Sequence, residues 1–127
     1  MGVFLNIVMV GVGGAIGAIS RYLVDQVILN RFDSSLLGTF AVNTSGSLVL
    51  GIISGMLYNT VWPIEARLFV TVGILGSYTT FSTLSVATIH SVESGNIYTA
   101  VMNILSNLIV GLIAAYAGLV VGKSLYQ

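Results

Sequence analysis

Uncharged polar side chains recur at helical spacing in several parts of this 127-residue sequence. Thr39, Asn43 and Ser47 follow one another at i, i+4 and i+8, so they share one face of a helix. The asparagine amide offers two N–H donors, and each hydroxyl offers one. Such a face can solvate an anion without a fixed charge, or it can hydrogen-bond to a neighbouring helix. The spacing alone leaves both interpretations open.

A second polar stretch, at residues 73–85, combines two glycines with six serines or threonines. This density predicts a break in any helix that contains it. A break at membrane depth frees backbone carbonyls, which are tolerated only where they are buried in protein, wetted or bound to a cation. Carbonyls of broken helices coordinate Na⁺ in other membrane proteins. The alternative is an unbroken helix whose hydroxyls bond back to their own turns.

A third pair, Asn103 and Asn107, again stands at i and i+4. Two asparagines on one face of an otherwise apolar helix have two interpretations. They hold a helix bundle together, or they line a polar track. The sequence favours neither.

The elements that position these residues follow from the charges. Only 6% of residues are charged and 56% are hydrophobic, whereas soluble proteins draw about a quarter of their residues from the charged types. The charges leave four long apolar stretches, each of which can hold the roughly 20 residues of a membrane span. We predict an all-α membrane protein, one domain over residues 1–127, with helices at about 3–22, 36–58, 67–91 and 97–122.

Further limits follow from the composition. Four spans use nearly the whole chain, so we expect no enzyme. Zero cysteines exclude disulfides, and a net charge of zero argues against nucleic acid as a partner. Lysine and arginine split evenly between the two sides, with Arg67 and Lys123 opposing Arg21 and Arg31. The positive-inside rule therefore gives no preferred orientation, which suits a chain that inserts both ways or follows a partner.

Glycine pairs at i and i+4 predict where the helices touch. They are Gly13 with Gly17, Gly51 with Gly55, and Gly118 with Gly122. Small residues at this spacing let the backbones of membrane helices approach closely.

Three segments together resemble the Fluc (CrcB) family of fluoride channels. They are GGAIGAISRY at 13–22, GTFAVN at 38–43 and GILGSYTTFST at 73–83, in family order along a chain of family length. The resemblance implies an antiparallel dimer in the bacterial plasma membrane, with two fluoride pathways and a structural Na⁺ at its centre. Such a channel exports fluoride passively and so lowers its cytoplasmic concentration and toxicity.

The resemblance also implies roles for individual residues. Gly76 and Thr79 would give backbone carbonyls to Na⁺, Asn43 would donate its amide to fluoride, and Phe81 would be the first ring of the family's phenylalanine box. Aromatic ring edges are electropositive and suit an anion. To this pathway we add the polar residues Thr39, Ser82, Thr83, Asn103 and Asn107.

The sequence departs from the family pattern at two positions. Leu84 stands where the family usually has a second phenylalanine, and Ala87 stands where an acidic residue usually follows. A homodimer would lack the second ring in both pathways. We therefore expect a heterodimer whose partner carries the complete motif.

Two alternatives are weighed against a conducting subunit. The first is a non-conducting partner subunit of a heterodimeric fluoride channel, which the changes at Leu84 and Ala87 favour. The second is a small multidrug-type exchanger, which needs a membrane-embedded glutamate in its first helix. Residues 1–20 contain no acidic residue, so the exchanger is disfavoured.

Overall fold

The computed structural model describes residues 2–58 and 60–125, and in this part of the chain every regular element is a helix. Within these described residues, four helical spans are long and apolar enough to cross a membrane. The predicted all-α class is confirmed, and the chain is a multi-pass membrane protein. Residues 1, 59, 126 and 127 of the predicted 1–127 domain lie outside the described part.

The first span, α1 (Gly2–Phe32), is longer than the sequence indicated. The predicted end near Tyr22 is wrong, because the helix continues for ten residues beyond it. Its 31 residues are about 46 Å long, against roughly 30 Å of hydrocarbon. The prediction was wrong because charges mark where a helix leaves the membrane, which need not be where it ends. The helix ends only where Asp33 adopts a φ of 52°.

The second and fourth spans agree closely with their predicted bounds. The second, α2 (Ser35–Met56), begins after Ser34, whose side chain accepts a hydrogen bond from the Leu37 N–H at 3.4 Å. The fourth span, Ile97–Ser124, begins after Asn96, which accepts from the Thr99 N–H at 3.1 Å. Both starts carry the polar cap residue that satisfies a free N–H of the first turn.

The third span, Ile64–Glu93, is built from several pieces. It begins as α3 (Ile64–Arg67), widens into a π-helix at Leu68–Leu75 and tightens to α4 (Gly76–Tyr78). After a break at residues 79–80 it resumes as α5 (Phe81–Glu93). The predicted interruption is therefore present, whereas the π-helical winding was not anticipated. The fourth span is α6.

The glycine pairs lie where the helices pack most closely, as predicted. A Cβ on Gly13 would collide with the Phe69 carbonyl of the π-helix, and one on Gly17 would collide with the Ile74 carbonyl. Along the contact between α2 and α6, Gly51 faces Ala115 and Gly55 faces Leu119. Because successive contacts advance in the same direction on both helices, α2 and α6 run parallel.

Candidate functional site

The break in the third span consists of two extended residues. Thr79 has φ −81° and ψ 157°, and Thr80 has φ −151° and ψ 115°. Thr80 then caps the new helix, since its hydroxyl oxygen accepts from the Thr83 N–H at 3.2 Å. A polar residue in an extended conformation is the usual start of a helix. The sequence -Thr79-Thr80- thus ends one helix and begins the next without a loop.

Asn43 of α2 hydrogen-bonds to this break through both the oxygen and the nitrogen of its side-chain amide. Its Oδ1 accepts from the Thr80 N–H at 2.8 Å, and its Nδ2 donates to the Thr80 carbonyl at 3.1 Å. The side chain therefore pairs with the broken backbone much as a neighbouring strand would. Free backbone groups at membrane depth must find such partners within the protein. Asn43 supplies one partner to each of the two backbone groups of Thr80.

A chain of hydrogen bonds continues from Asn43 away from the break. The Asn43 Nδ2 also donates to the Asn107 Oδ1 at 3.0 Å, and the Asn107 Nδ2 donates to the Asn103 Oδ1 at 3.3 Å. The Asn103 Nδ2 donates to the Thr88 Oγ1 at 3.0 Å, and the Thr88 hydroxyl donates to the Leu84 carbonyl at 2.8 Å. We call these three asparagines with Thr88 the amide chain. It links α2 to α6 and both helices to α5.

The amide chain bears directly on the role predicted for Asn43. Both hydrogens of its Nδ2 are donated to protein oxygens, one at Thr80 and one at Asn107. In the single chain the face of α2 that carries Asn43 therefore makes the interhelical hydrogen bonds that the sequence left open. A fluoride ion would have to replace one of these bonds to receive the Asn43 amide.

A cavity of about 420 Å³ lies beside the break. It contains polar groups from three helical spans, together with the ring of Phe81, and Leu84 lies in its wall. The polar residues that line it are Asn43, Ser47, Thr79, Thr80 and Asn107. Phe81 is 80% exposed in the single chain, whereas Leu84 is buried. The cavity thus combines neutral donors with an aromatic ring.

The structure distributes the remaining predicted pathway residues elsewhere. Ser82 and Thr83 line a separate cavity with Ala87 and His90. Asn103 lines a third cavity near the start of α6, and Thr39 is buried with 2% of its surface exposed. Of the seven pathway residues predicted, Asn43, Phe81 and Asn107 meet at one cavity. Only Asn103 joins them through the amide chain.

The backbone around Gly76 and Thr79 suits an oxygen site for a cation. In a continuous helix the Thr80 N–H would bond to the Gly76 carbonyl, but here it bonds to Asn43. The extended conformation of Thr79 turns its own carbonyl out of the helical pattern. Hard cations accept carbonyl oxygens as ligands. Among the described residues no group of three or more His, Cys, Asp or Glu could hold a metal ion instead.

Two residues of this site were not singled out by the sequence analysis. Thr80 is the residue that Asn43 clamps, and Thr88 connects Asn103 to the backbone of α5. Both are buried hydroxyl residues in a hydroxyl-rich helix. The spacing of Thr80, Leu84 and Thr88 at i, i+4 and i+8 puts them on one face and was a usable signal.

Comparison with known proteins decides the family. The family model for "CrcB-like protein, Camphor Resistance (CrcB)" matches residues 8–119 of the chain. The chain belongs to the CrcB family. The match includes all three segments that carried the resemblance.

Relatives align over nearly the whole chain. A protein of Methanocaldococcus jannaschii named "Fluoride-specific ion channel FluC" is 38% identical, covering 96% of this chain and 98% of the relative. One of the same name from Magnetococcus marinus is 37% identical, over 94% of this chain and 98% of the relative. "Fluoride-specific ion channel FluC 1" of Methanosarcina acetivorans is 35% identical over 89% and 87%.

Proposed function

We propose that this chain is a subunit of a fluoride-specific ion channel in the cell membrane, and that it is not an enzyme. The observation that carries the proposal is the polar cavity beside the broken third span, which is lined by Phe81 and by Asn43, the residue that hydrogen-bonds to the break. Membership of the CrcB family and the names of the relatives indicate that the anion is fluoride.

The chemistry of the cavity suits a small and strongly hydrated anion. Ser47 brings a hydroxyl group, and Phe81 brings the positive edge of an aromatic ring. Asn43 and Asn107 bring amides, which would exchange a hydrogen bond within the protein for one to the ion. A conducting site must replace the water around the ion without binding it so tightly that it cannot leave. Neutral dipoles meet this need better than a fixed positive charge, and no charged residue lines the cavity among the described residues.

We also propose that the carbonyls of Gly76 and Thr79 bind a structural Na⁺. This pair of carbonyls gives two oxygen ligands, fewer than a hard cation takes. A second subunit that contributed the same pair would raise the number to four. When bound, the ion would stabilise the two broken spans against each other. The test is exchange of Na⁺ for a large organic cation, with the dimer measured by native mass spectrometry, where an unchanged dimer after complete exchange would contradict the assignment.

The exposed ring of Phe81 supports a second subunit. A phenylalanine that is 80% exposed next to an open polar cavity has few contacts within its own chain. We propose that the partner is antiparallel, which the even split of Lys and Arg allows. A heterodimer is favoured over a homodimer because Leu84 and Ala87 leave the box incomplete. The number in the printed name FluC 1 of one relative is in keeping with paired channel genes.

Fluoride efflux from liposomes tests the function. We expect weak efflux from this chain alone and fast, selective efflux from the complete assembly isolated from its native membrane.

Phe81→Ile should reduce flux in that assembly, and Leu84→Phe should increase it by completing a second pathway. Phe32→Ile, at an exposed ring in the last turn of α1, is the matched control. Fast and selective efflux from the chain alone would overturn the heterodimer while leaving the channel intact.

The second candidate is a non-conducting partner subunit. It is favoured by Leu84, which packs into the wall of the cavity in place of a ring. The same assay separates the two candidates. If the complete assembly conducts equally well with Phe81→Ile or Asn43→Ser in this chain, then the chain supports a pathway that it does not line.

A further inference from the structure

A separate cavity of about 540 Å³ lies where α2 ends and the third span begins. Arg67, Tyr58, Ser54 and Thr71 form its polar part, and Leu50 and Leu57 form its apolar part. No acidic residue lines it among the described residues. It shares only Leu50 with the cavity beside the break. The function proposed above uses none of its polar groups.

The polar groups of this cavity form a donor set for an oxyanion. The Arg67 guanidinium is a fork of N–H donors that matches phosphate, and the Tyr58 and Ser54 hydroxyls each add one donor. The Thr71 hydroxyl is already used, since it donates to the Arg67 carbonyl at 2.8 Å. A second positive charge stands close by, because the Lys123 Nζ lies 4.1 Å from the centre of the Tyr58 ring.

The residues around the cavity are of the types expected at the depth of lipid headgroups. Tyr58 follows the end of α2, Arg67 is in the first helical turn of the third span, and Lys123 is in the last turn of α6. Trp62 and Pro63 connect the two spans on this side. Aromatic and basic residues together mark the membrane interface. Leu50 and Leu57 then extend from the polar end along α2 toward the middle of the membrane.

We propose that this cavity binds the phosphate headgroup of an anionic phospholipid, with Arg67 as the main ligand. Charge complementarity selects an anion, and the leucines provide an apolar surface for the acyl chain beneath it. Basic pockets between membrane helices are known to hold anionic headgroups. An acyl chain on Leu50 would border the cavity beside the break, so the lipid would seal that side of it. The inference is independent of which ion the channel passes.

The single tryptophan, Trp62, lies in the segment that connects the two spans lining the cavity, so it probes lipid on this side of the protein. The full chain is reconstituted in phosphatidylcholine vesicles that contain a small, equal mole fraction of brominated phosphatidylglycerol or brominated phosphatidylcholine. Bromine quenches tryptophan on contact, so the ratio of the two quenching efficiencies measures headgroup preference at Trp62. We expect brominated phosphatidylglycerol to quench several-fold more strongly in the native chain.

Matched variants identify the ligand. Arg67→Gln should lower the preference by about fivefold, the effect of one basic residue near an anionic headgroup. Arg67→Lys should retain most of it. Arg31→Gln, an exposed arginine at the opposite end of the bundle, should change nothing. Because Arg67→Gln changes only a surface charge, we expect the variant to fold. An unchanged elution volume in size-exclusion chromatography will show this.

Three outcomes would overturn the proposal. The first is equal quenching by the two brominated lipids in the native chain. The second is an equal loss of preference in Arg67→Gln and Arg31→Gln, which would indicate general attraction of anionic lipid to a basic protein. The third is relief of quenching by excess inorganic phosphate, which would indicate a site for a free oxyanion. Fluoride efflux measured on the same vesicles reports independently on the proposed function.

Discussion

The helices α2 and α6 pack against each other in two different ways along one contact. Towards the end of α2, Gly51 and Gly55 meet Gly118 and Gly122 of α6, and the backbones touch directly. Nearer its beginning, Asn43 bonds to Asn107 across the same pair of helices. In one half of the contact the two backbones pack directly against each other at glycines. In the other half the helices are joined by a hydrogen bond between side chains.

The difference shows how a membrane bundle can combine rigidity with a polar interior. Glycine contacts rely on close packing, which provides much of the attraction between helices in lipid. Amide contacts contribute less to stability, typically about 0.6 kcal/mol each in membranes, but they satisfy groups that would otherwise be orphaned. The cavity and the break lie beside the amide half, so we infer that the glycine half carries the stability that the amide half lacks.

The largest expected effect is on the glycine half. Gly118→Val would place a Cβ against the Leu48 carbonyl and 2.9 Å from the Ile52 amide nitrogen, and neither backbone group can move cheaply. We expect a loss of about 3 kcal/mol of stability, the upper end of the usual cost of overpacking, and little folded protein. The measurement is the yield of monodisperse protein and its thermal unfolding midpoint in detergent.

Gly11→Val is the control for this change. Gly11 also lies within a membrane helix, but a Cβ there would meet no atom of another helix within 4 Å. Its unfolding midpoint should stay close to that of the native chain. Equal losses at Gly11 and Gly118 would mean that the glycine contact between α2 and α6 does not hold the bundle together.

A smaller effect on stability, with a larger effect on function, is expected from the amide half. Asn43→Leu leaves the Thr80 backbone and the Asn107 carbonyl oxygen without partners, at about 1–3 kcal/mol. We expect fluoride efflux from the complete assembly to fall at least tenfold because the break loses its clamp. Asn30→Leu, at an exposed position in α1, should change neither quantity. If Asn43→Leu conducts fluoride at the native rate, then conduction needs neither the Asn43 amide in the pathway nor its hydrogen bonds to the break.

The smallest expected effect is at the far end of the amide chain. Thr88→Val removes the acceptor for Asn103 and should cost about 0.6–1 kcal/mol, with a two- to threefold loss of efflux. Thr71→Val is matched closely, since each hydroxyl donates at 2.8 Å to the carbonyl one turn earlier and only Thr88 also accepts from another helix. If the two variants shift the unfolding midpoint equally, Thr88 contributes nothing beyond its own helix.

The sequence predicted the fold and the break because both follow from local composition. The four spans follow from where charges are absent, and the interruption follows from the glycines and hydroxyls of residues 73–85. The glycine contacts were also predictable, because a spacing of four residues has one main use between membrane helices. Each of these features follows from the composition of one short segment and requires no knowledge of which segments meet in the fold.

The parts that could not be predicted depend on which segments meet. Asn43 bonds to Thr80 and Asn107, which are distant from it in sequence, so no single segment predicts these hydrogen bonds. Ser82 and Thr83 follow Phe81 directly, but the turn of α5 puts them at a different cavity. The length of α1 was underestimated because the charged residues Arg21 and Asp25 do not end the helix.

The composition of the amide chain has a consequence for the energy of the cell. A polar path that crosses several helices of a membrane protein could leak protons. Carboxylates, histidines and chains of water molecules transfer protons readily. The links between Thr80 and Leu84 are amides and a hydroxyl, none of which ionises near neutral pH. The amide chain therefore provides a hydrogen-bonded interior without any group that takes up or releases a proton near neutral pH.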